Sequence, residues 1–128
     1  MQRILPGVDP ATVEETLNEV VADSTVAITP IAEPKPSPPS ALTEEVMAPI
    51  AEITEQMWPG VVVIPTMSTG ATDGLYFRNT GIPVYGVSGL FGDIDDVRAH
   101  GRDERISVAS FYDGLEFLDL LVRSYTSQ

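Results

Sequence analysis

Residues 86–105 contain the only histidine of the chain, His100, and read Gly-Val-Ser-Gly-Leu-Phe-Gly-Asp-Ile-Asp-Asp-Val-Arg-Ala-His-Gly-Arg-Asp-Glu-Arg. An apolar run over 83–87 leads into this stretch, and an amphipathic helical pattern begins after Ser107. Long segments between regular elements often carry function. A neutral imidazole suits a metal ligand, because a nearby carboxylate fixes its tautomer. One histidine cannot complete a metal site, so we expect any further ligands to lie outside these 128 residues.

The patterns on either side of this stretch alternate between helix and strand. Asp9 before Pro10 is a strong helix start, and the apolar spacing over 42–58 and after Ser107 is also helical. On the last helix, Phe111, Leu115, Leu118 and Val122 share one face. Predicted strands cover 2–5, 24–31, 61–64 and 83–87, and a short helix covers 73–80. This order predicts a mostly parallel, three-layer α/β arrangement.

Composition excludes several classes of function. The net charge of −12 argues against nucleic acid and anionic membranes as partners, because both attract basic surfaces. The chain has no cysteine, so disulfides, zinc-thiolate sites and thiol nucleophiles are excluded. No apolar run approaches the roughly 20 residues of a membrane span. The first residues lack a signal-peptide core and resemble the middle of a strand, which suggests a piece of a longer protein and indicates no compartment.

A proline-rich segment divides the chain. Four prolines stand within Glu33–Ser40, which favours a stiff, extended connector. We therefore expect one domain over 1–33, a hinge over 34–41 and a second domain over 42–128. The alternative is a surface loop within a single domain.

A second candidate segment, Pro65–Gly74, follows a predicted buried strand and opens a helix. Its small residues, hydroxyls and free N–H groups suit an anion such as a carboxylate. It is not a Walker loop, because no Gly-Lys-Ser/Thr follows. An ordinary turn with a capped helix start gives the same pattern.

His100 also has alternative interpretations. It is equally consistent with a surface histidine in a charged turn. Asp93, Asp95 and Asp96 raise the possibility of calcium, but the twelve-residue loop ending in a bidentate Glu is missing. A serine triad lacks the Gly-x-Ser-x-Gly elbow.

Taken in order, the motifs resemble the C-terminal part of the dizinc aminoacylase and carboxypeptidase family. That family includes glutamate carboxypeptidases, acetylornithine deacetylase and succinyl-diaminopimelate desuccinylase. The matching motifs are Met-Ser-Thr-Gly-Ala-Thr-Asp-Gly (67–74), Gly-Ile-Pro-Val-Tyr-Gly (81–86) and His-Gly-Arg-Asp-Glu (100–104). Arg-Ile-Leu-Pro-Gly (3–7) with the helix after it is similar to the end of the inserted lid domain, and 37–40 is similar to the hinge that returns from it. The resemblance covers nearly the whole chain.

The resemblance implies a fold and a set of site residues. The fold would be a partial three-layer αβα catalytic domain with a partial α+β lid domain. His100 would bind one of two zinc ions, with Glu104 as a structural partner and Asp103 as a weaker candidate. The substrate carboxylate would be received by Gly70, Ala71 and Thr72, in a turn oriented by Asp73. Many members carry Arg directly after the Asp-Gly pair, where this chain has Leu75, with Arg78 one turn later.

The resemblance also implies an activity and its partners. The intact enzyme would hydrolyse the amide bond of a peptide or N-acyl amino acid with zinc-activated water. The remaining ligands and the general base would come from an N-terminal half, because no His-x-Asp occurs here. We therefore expect the isolated chain to be inactive, to bind zinc weakly and to form homo-oligomers. The rival hypothesis is a non-catalytic acidic α/β interaction module with His100 on its surface.

Overall fold

The computed structural model describes residues 4–68 and 70–127, and in these it contains four helices and no strand. The helices are α1 (Pro10–Val21), α2 (Glu44–Met57), α3 (Gly74–Asn79) and α4 (Val108–Thr126). The chain forms two compact units. The first comprises Met1–Ala41 with Met67–Tyr85, and the second comprises Leu42–Thr66 with Gly86–Gln128.

The predicted αβα fold with an α+β lid is wrong for the structure. The segments 24–31, 61–64 and 83–87 adopt no strand, and Val62 and Ile64 are 76% and 72% exposed. A strand is stable only when a neighbouring strand pairs with its N–H and C=O groups. No such neighbour exists within the described residues, so β-branched composition alone does not produce a sheet. Most of the strand predicted at 2–5 lies outside the described residues.

Helix α1, in the first unit, forms where the sequence predicts it. The Asp9 carboxylate accepts a hydrogen bond from the Ala11 N–H at 2.9 Å, and Pro10 occupies the first turn. Ala22 ends the helix in the left-handed conformation, with φ +48°. None of the α1 residues is buried. Capping and proline placement therefore define this helix more than packing does.

The proline-rich segment of the first unit is fastened to residues 84–85. The Ser40 hydroxyl donates to the Val84 carbonyl at 2.9 Å and accepts from the Val84 N–H at 2.8 Å. The Tyr85 hydroxyl donates to the Ala41 carbonyl at 2.5 Å. One serine thus satisfies both backbone groups of a residue that has no strand partner among the described residues.

The core of the second unit lies between α2 and α4. Ile50 and Ile53 of α2 pack with Phe117 and Leu121 of α4, and all four are buried. The partly buried residues around them are Val46, Met57, Trp58, Val63, Val87 and Leu120. The predicted apolar stripe of α2, residues 46, 50, 53 and 57, is therefore confirmed.

The buried face of helix α4 is not the face predicted from its large apolar residues. The buried residues are Ser110, Gly114, Phe117 and Leu121, whereas Phe111 is 47% exposed. Small residues on this face let the chain at 89–90 come close. A Cβ at Gly114 would lie 2.4 Å from Leu90 Cδ2, and one at Gly89 would lie 2.6 Å from Phe117 Cβ. Glycine and serine carry no hydrophobic signal, so the periodicity of the large side chains indicates the wrong face.

A second serine anchors the start of the 86–105 stretch to α4. The Ser110 hydroxyl donates to the Phe91 carbonyl at 2.6 Å and accepts from the Phe91 N–H at 2.9 Å. The Phe91 ring also meets Trp58 edge-on, with centroids 4.8 Å apart. Among the described residues, every buried side-chain polar atom has a hydrogen-bond partner. No helix in this part of the chain combines the length and apolarity that crossing a bilayer requires.

Candidate functional site

His100 lies at the tip of a tight turn in the second unit. Its φ of +65° is in the left-handed region, which residues other than glycine seldom adopt. The Gly101 N–H donates to the Arg98 carbonyl at 2.9 Å and closes the turn. The imidazole is solvent-exposed. The turn therefore presents His100 outwards at the cost of an uncommon backbone conformation.

Charged side chains enclose this turn. Arg105 donates to the Asp96 carboxylate through Nη2 at 2.7 Å and Nε at 3.2 Å. The other Asp96 oxygen accepts from Arg98, and Arg98 also pairs with Asp103. We call Asp96, Arg98, Asp103 and Arg105 the charge bracket. It joins the two ends of the segment that carries His100, and the hydrogen bonds from Arg105 and then Arg98 lower the pKa of Asp96.

The charge bracket was not predicted from the sequence. The sequence indicates Asp96 only as part of a possible calcium site, and the family resemblance predicts Glu104 as the residue that supports the turn. In the described part of the chain, the Glu104 carboxylate has no hydrogen-bond or ion-pair partner, although its N–H donates to the Gly101 carbonyl at 3.3 Å. Asp103, the weaker candidate, is a member of the charge bracket through its ion pair with Arg98. The only sequence signal was the density of opposite charges over 95–105.

Replacing Asp96 by asparagine is expected to loosen the His100 turn, because Arg105 loses its anionic partner and Arg98 keeps only Asp103. The backbone order parameters of His100 and Gly101, measured by ¹⁵N relaxation, should fall below about 0.6. The neighbouring Asp95→Asn variant, which removes the same charge outside the bracket, should leave them unchanged. Equal loosening in both variants would contradict a specific role for Asp96.

The pH dependence of the wild-type turn should have the same origin. The pKa of the Asp96 carboxyl group is lower in the folded turn than its ordinary value of 3.8. The ionised group therefore stabilises the folded turn at pH values above 3.8. That stabilisation is lost as the pH falls through the lowered value. The turn should therefore stay ordered at neutral pH and become mobile only in strong acid.

No metal site is complete within the described residues. No group of three or more His, Asp or Glu side chains in 4–68 and 70–127 converges on one point. The Asp93 carboxylate instead accepts from the Asp95 N–H at 2.9 Å, as in an ordinary turn. The described residues therefore offer an exposed imidazole that belongs to no group of three potential ligands.

The second candidate segment lies in the first unit. Gly70, Ala71 and Thr72 are exposed, and the Gly70 N–H donates to the Ser68 hydroxyl at 3.1 Å. The Thr72 hydroxyl oxygen accepts from the Gly74 N–H at 3.2 Å. Asp73 is the N-cap of α3, but its side chain makes no capping hydrogen bond. Thr72 therefore supplies the side-chain hydrogen bond at the start of α3.

Arg78 lies beside this segment. Its Nε donates to the Ser37 hydroxyl at 3.1 Å, and the side chain is half-buried. A Cβ added at Gly74 would meet Arg78 Nη1 at 2.8 Å and Thr72 Oγ1 at 3.0 Å. The guanidinium, the Thr72 hydroxyl and the Val84 side chain, 3.1 Å from the same point, therefore pack against the buried Gly74, and a side chain at position 74 would collide with them.

The sequence matches a known family over almost its entire length. The model of the peptidase family M20/M25/M40 matches residues 5–124. The chain belongs to this family. The match confirms the resemblance to a peptidase family that the motifs at 67–74, 81–86 and 100–104 indicated.

This M20/M25/M40 chain is also similar to the probable carboxypeptidase S-like 2 of Dictyostelium discoideum. The two are 26% identical over 124 residues, which are 95% of this chain and 24% of the relative. The chain therefore spans well under half the length of that relative. No solved structure matches the chain.

Proposed function

We propose that these 128 residues are part of a zinc-dependent hydrolase that cleaves the amide bond of a peptide or an N-acyl amino acid. The match to the peptidase family over residues 5–124 carries this proposal. The relative named as carboxypeptidase S-like supports cleavage next to a terminal carboxylate.

Within that enzyme, His100 is proposed as the ligand of one of two zinc ions. Its exposed position in a strained, charge-bracketed turn supports this role, because a ligand must be both accessible and held in place. Bound zinc would supply Lewis acidity and lower the pKa of its water towards neutrality. Asp103 and Glu104 follow His100 as proposed support for the turn.

The exposed segment Gly70–Thr72 is proposed to receive the carboxylate end of the substrate, with Asp73 orienting the turn. Residues 70–72 are exposed, and no side chain beyond Cβ at residues 70 and 71 obstructs approach to their backbone. These features support contact between a planar anion and the backbone.

The rest of the active site is proposed to lie outside these residues, since the relative is about four times as long as the matched region. We propose that residues 1–33 end a lid that contributes to homo-oligomerisation, and that 34–41 form the hinge to the region 42–128. The isolated chain is accordingly proposed to be inactive.

Hydrolysis by the longer protein tests the proposal. Purified protein that includes the missing region should release amino acids from N-acetyl amino acids or dipeptides. A chelator should abolish at least about 99% of the rate, and zinc should restore it. The 128-residue chain alone should release none. Chelator-resistant hydrolysis, or no hydrolysis of either substrate class, would contradict the proposed function.

A further inference from the structure

The proline-rich segment contains a serine that is followed directly by proline. Residues 33–40 of the first unit adopt neither helix nor strand, and their prolines favour an extended backbone. Pro36 and Pro38, on either side of Ser37, are exposed, and Ser37 itself is half-buried. Proline-directed protein kinases modify a serine or threonine that precedes proline in an accessible, irregular segment of this kind. The sequence and the backbone around Ser37 therefore suit phosphorylation.

Arg78 lies next to the Ser37 hydroxyl and has no anionic partner in the described chain. Its Nε donates to the Ser37 Oγ at 3.1 Å. Arg78 is half-buried, yet no carboxylate pairs with it within residues 4–68 and 70–127. Removing a guanidinium from water without an anion is unfavourable. An anionic group attached to Ser37 would supply the missing charge.

The orientation of Arg78 also suits a phosphate on Ser37. Nε and Nη2 form one edge of a guanidinium, and this edge can bind an anion through two hydrogen bonds. Arg105 uses it towards Asp96, with Nη2 at 2.7 Å and Nε at 3.2 Å. In Arg78 the same edge contacts Ser37 through Nε, whereas Nη1 packs against Gly74. A phosphate ester on Ser37 Oγ would therefore place its acceptor oxygens beside this edge.

We propose that Ser37 is a phosphorylation site whose phosphate pairs with Arg78. In the reaction, Ser37 Oγ attacks the γ-phosphorus of ATP held by a proline-directed kinase, and the bond from that phosphorus to the β–γ bridging oxygen breaks. The hydroxyl proton passes to the catalytic base of the kinase, and ADP leaves. The new group carries a charge of about −1.5 to −2 and three strong acceptor oxygens.

The modification strengthens the attachment of the proline-rich segment to α3, which contains Arg78. That attachment already includes Asn79, whose Nδ2 donates to the Pro36 carbonyl at 3.3 Å. A phosphate opposite an arginine adds charge-assisted hydrogen bonds and orders the segment that carries it. The site goes beyond the proposed function and does not depend on it, because neither zinc nor the amide substrate takes part.

Treatment of the 128-residue chain with a purified proline-directed kinase and ATP tests the proposal. Mass spectrometry should find a phosphate on Ser37, and Ser37→Ala should lose it. Phosphorus-31 NMR then measures the second pKa of this phosphate, which is about 6 for an unpaired group. Arg78 should lower that pKa, because a neighbouring cation stabilises the dianion. In Arg78→Gln the pKa should return to about 6.

Two controls separate a specific ion pair from a general effect of charge. Arg102→Gln removes an exposed arginine that forms no ion pair in the described chain, and it should leave the pKa of the Ser37 phosphate lowered. Thr29 is exposed and precedes Pro30, so the same kinase can modify it. No hydrogen bond joins Thr29 to an arginine within the described residues. A phosphate on Thr29 should therefore have the same pKa in the wild type and in Arg78→Gln.

Arg78→Lys provides a second measurement if Arg78→Gln does not fold. Lysine keeps the charge but lacks the two-donor edge, so the phosphate pKa should lie between the values of the wild type and Arg78→Gln. Failure of the kinase to modify Ser37 would overturn the proposal. A Ser37 phosphate with the same pKa in the wild type and in both Arg78 variants would overturn it as well.

Discussion

Replacing Phe117 by alanine is expected to lower the free energy of unfolding by about 3–5 kcal/mol. Phe117 is the most deeply buried large side chain described, at 2% exposure, and it contacts Trp58 with ring centroids 5.6 Å apart. Only four described hydrophobic residues are buried, so few contacts remain to compensate for the cavity. Domains typically have about 5–15 kcal/mol of stability, and this change should remove a large part of it.

The matched control is Phe111→Ala, the same substitution on the same helix at a position that is 47% exposed. It should lower the free energy of unfolding by less than about 1 kcal/mol, as is typical of surface substitutions. Urea unfolding followed by circular dichroism measures both variants. If Phe111→Ala were as damaging as Phe117→Ala, the apolar stripe of α4 would be the buried face after all, and the described packing would be incorrect.

The helices could be predicted because their signals are local. Asp9 with Pro10 and Ser107 with Ser110 fix helix starts within a few residues, and the stripe of α2 repeats with helical spacing. The strand predictions lacked such local signals, and the described residues contain no strand. A run such as 61–64 has the composition of a strand, but only a partner strand can satisfy its backbone, and partners lie far away in sequence.

The buried face of α4 could not be predicted from hydrophobic periodicity either. Periodicity counts large apolar side chains, and it indicated Phe111, Leu115, Leu118 and Val122. The structure packs the helix through Ser110 and Gly114, because the backbone at 89–91 approaches closely there. Contacts of this kind depend on the absence of side chains, which a hydrophobic pattern does not register.

The candidate site could be predicted only where its residues are neighbours in the sequence. His100 and the 70–74 segment are contiguous motifs, so the sequence could indicate them. The charge bracket and the Arg78–Ser37 contact join residues separated by up to 9 and by 41 positions. Which of several nearby carboxylates an arginine selects is decided by backbone geometry. The family resemblance predicts Glu104 as the structural partner of His100 and Asp103 as a weaker candidate, whereas Asp96 enters the sequence analysis only as part of a possible calcium site.

The second large effect concerns His100→Ala in the longer protein. A residue that only orients a zinc ligand typically contributes 10- to 100-fold to metal affinity or activity, so loss of a ligand itself should lower kcat/KM by at least about a hundredfold. Arg102→Ala is the control, since it lies two residues away in the same exposed turn and outside the charge bracket. It should retain activity within about twofold.

Metal content tests the role of His100 most directly. Elemental analysis of the purified longer protein should give two zinc ions per chain for the wild type and for Arg102→Ala. His100→Ala should retain one zinc or none and lose turnover with it. A His100→Ala protein that keeps both metal ions and full activity would show that His100 is an ordinary surface histidine.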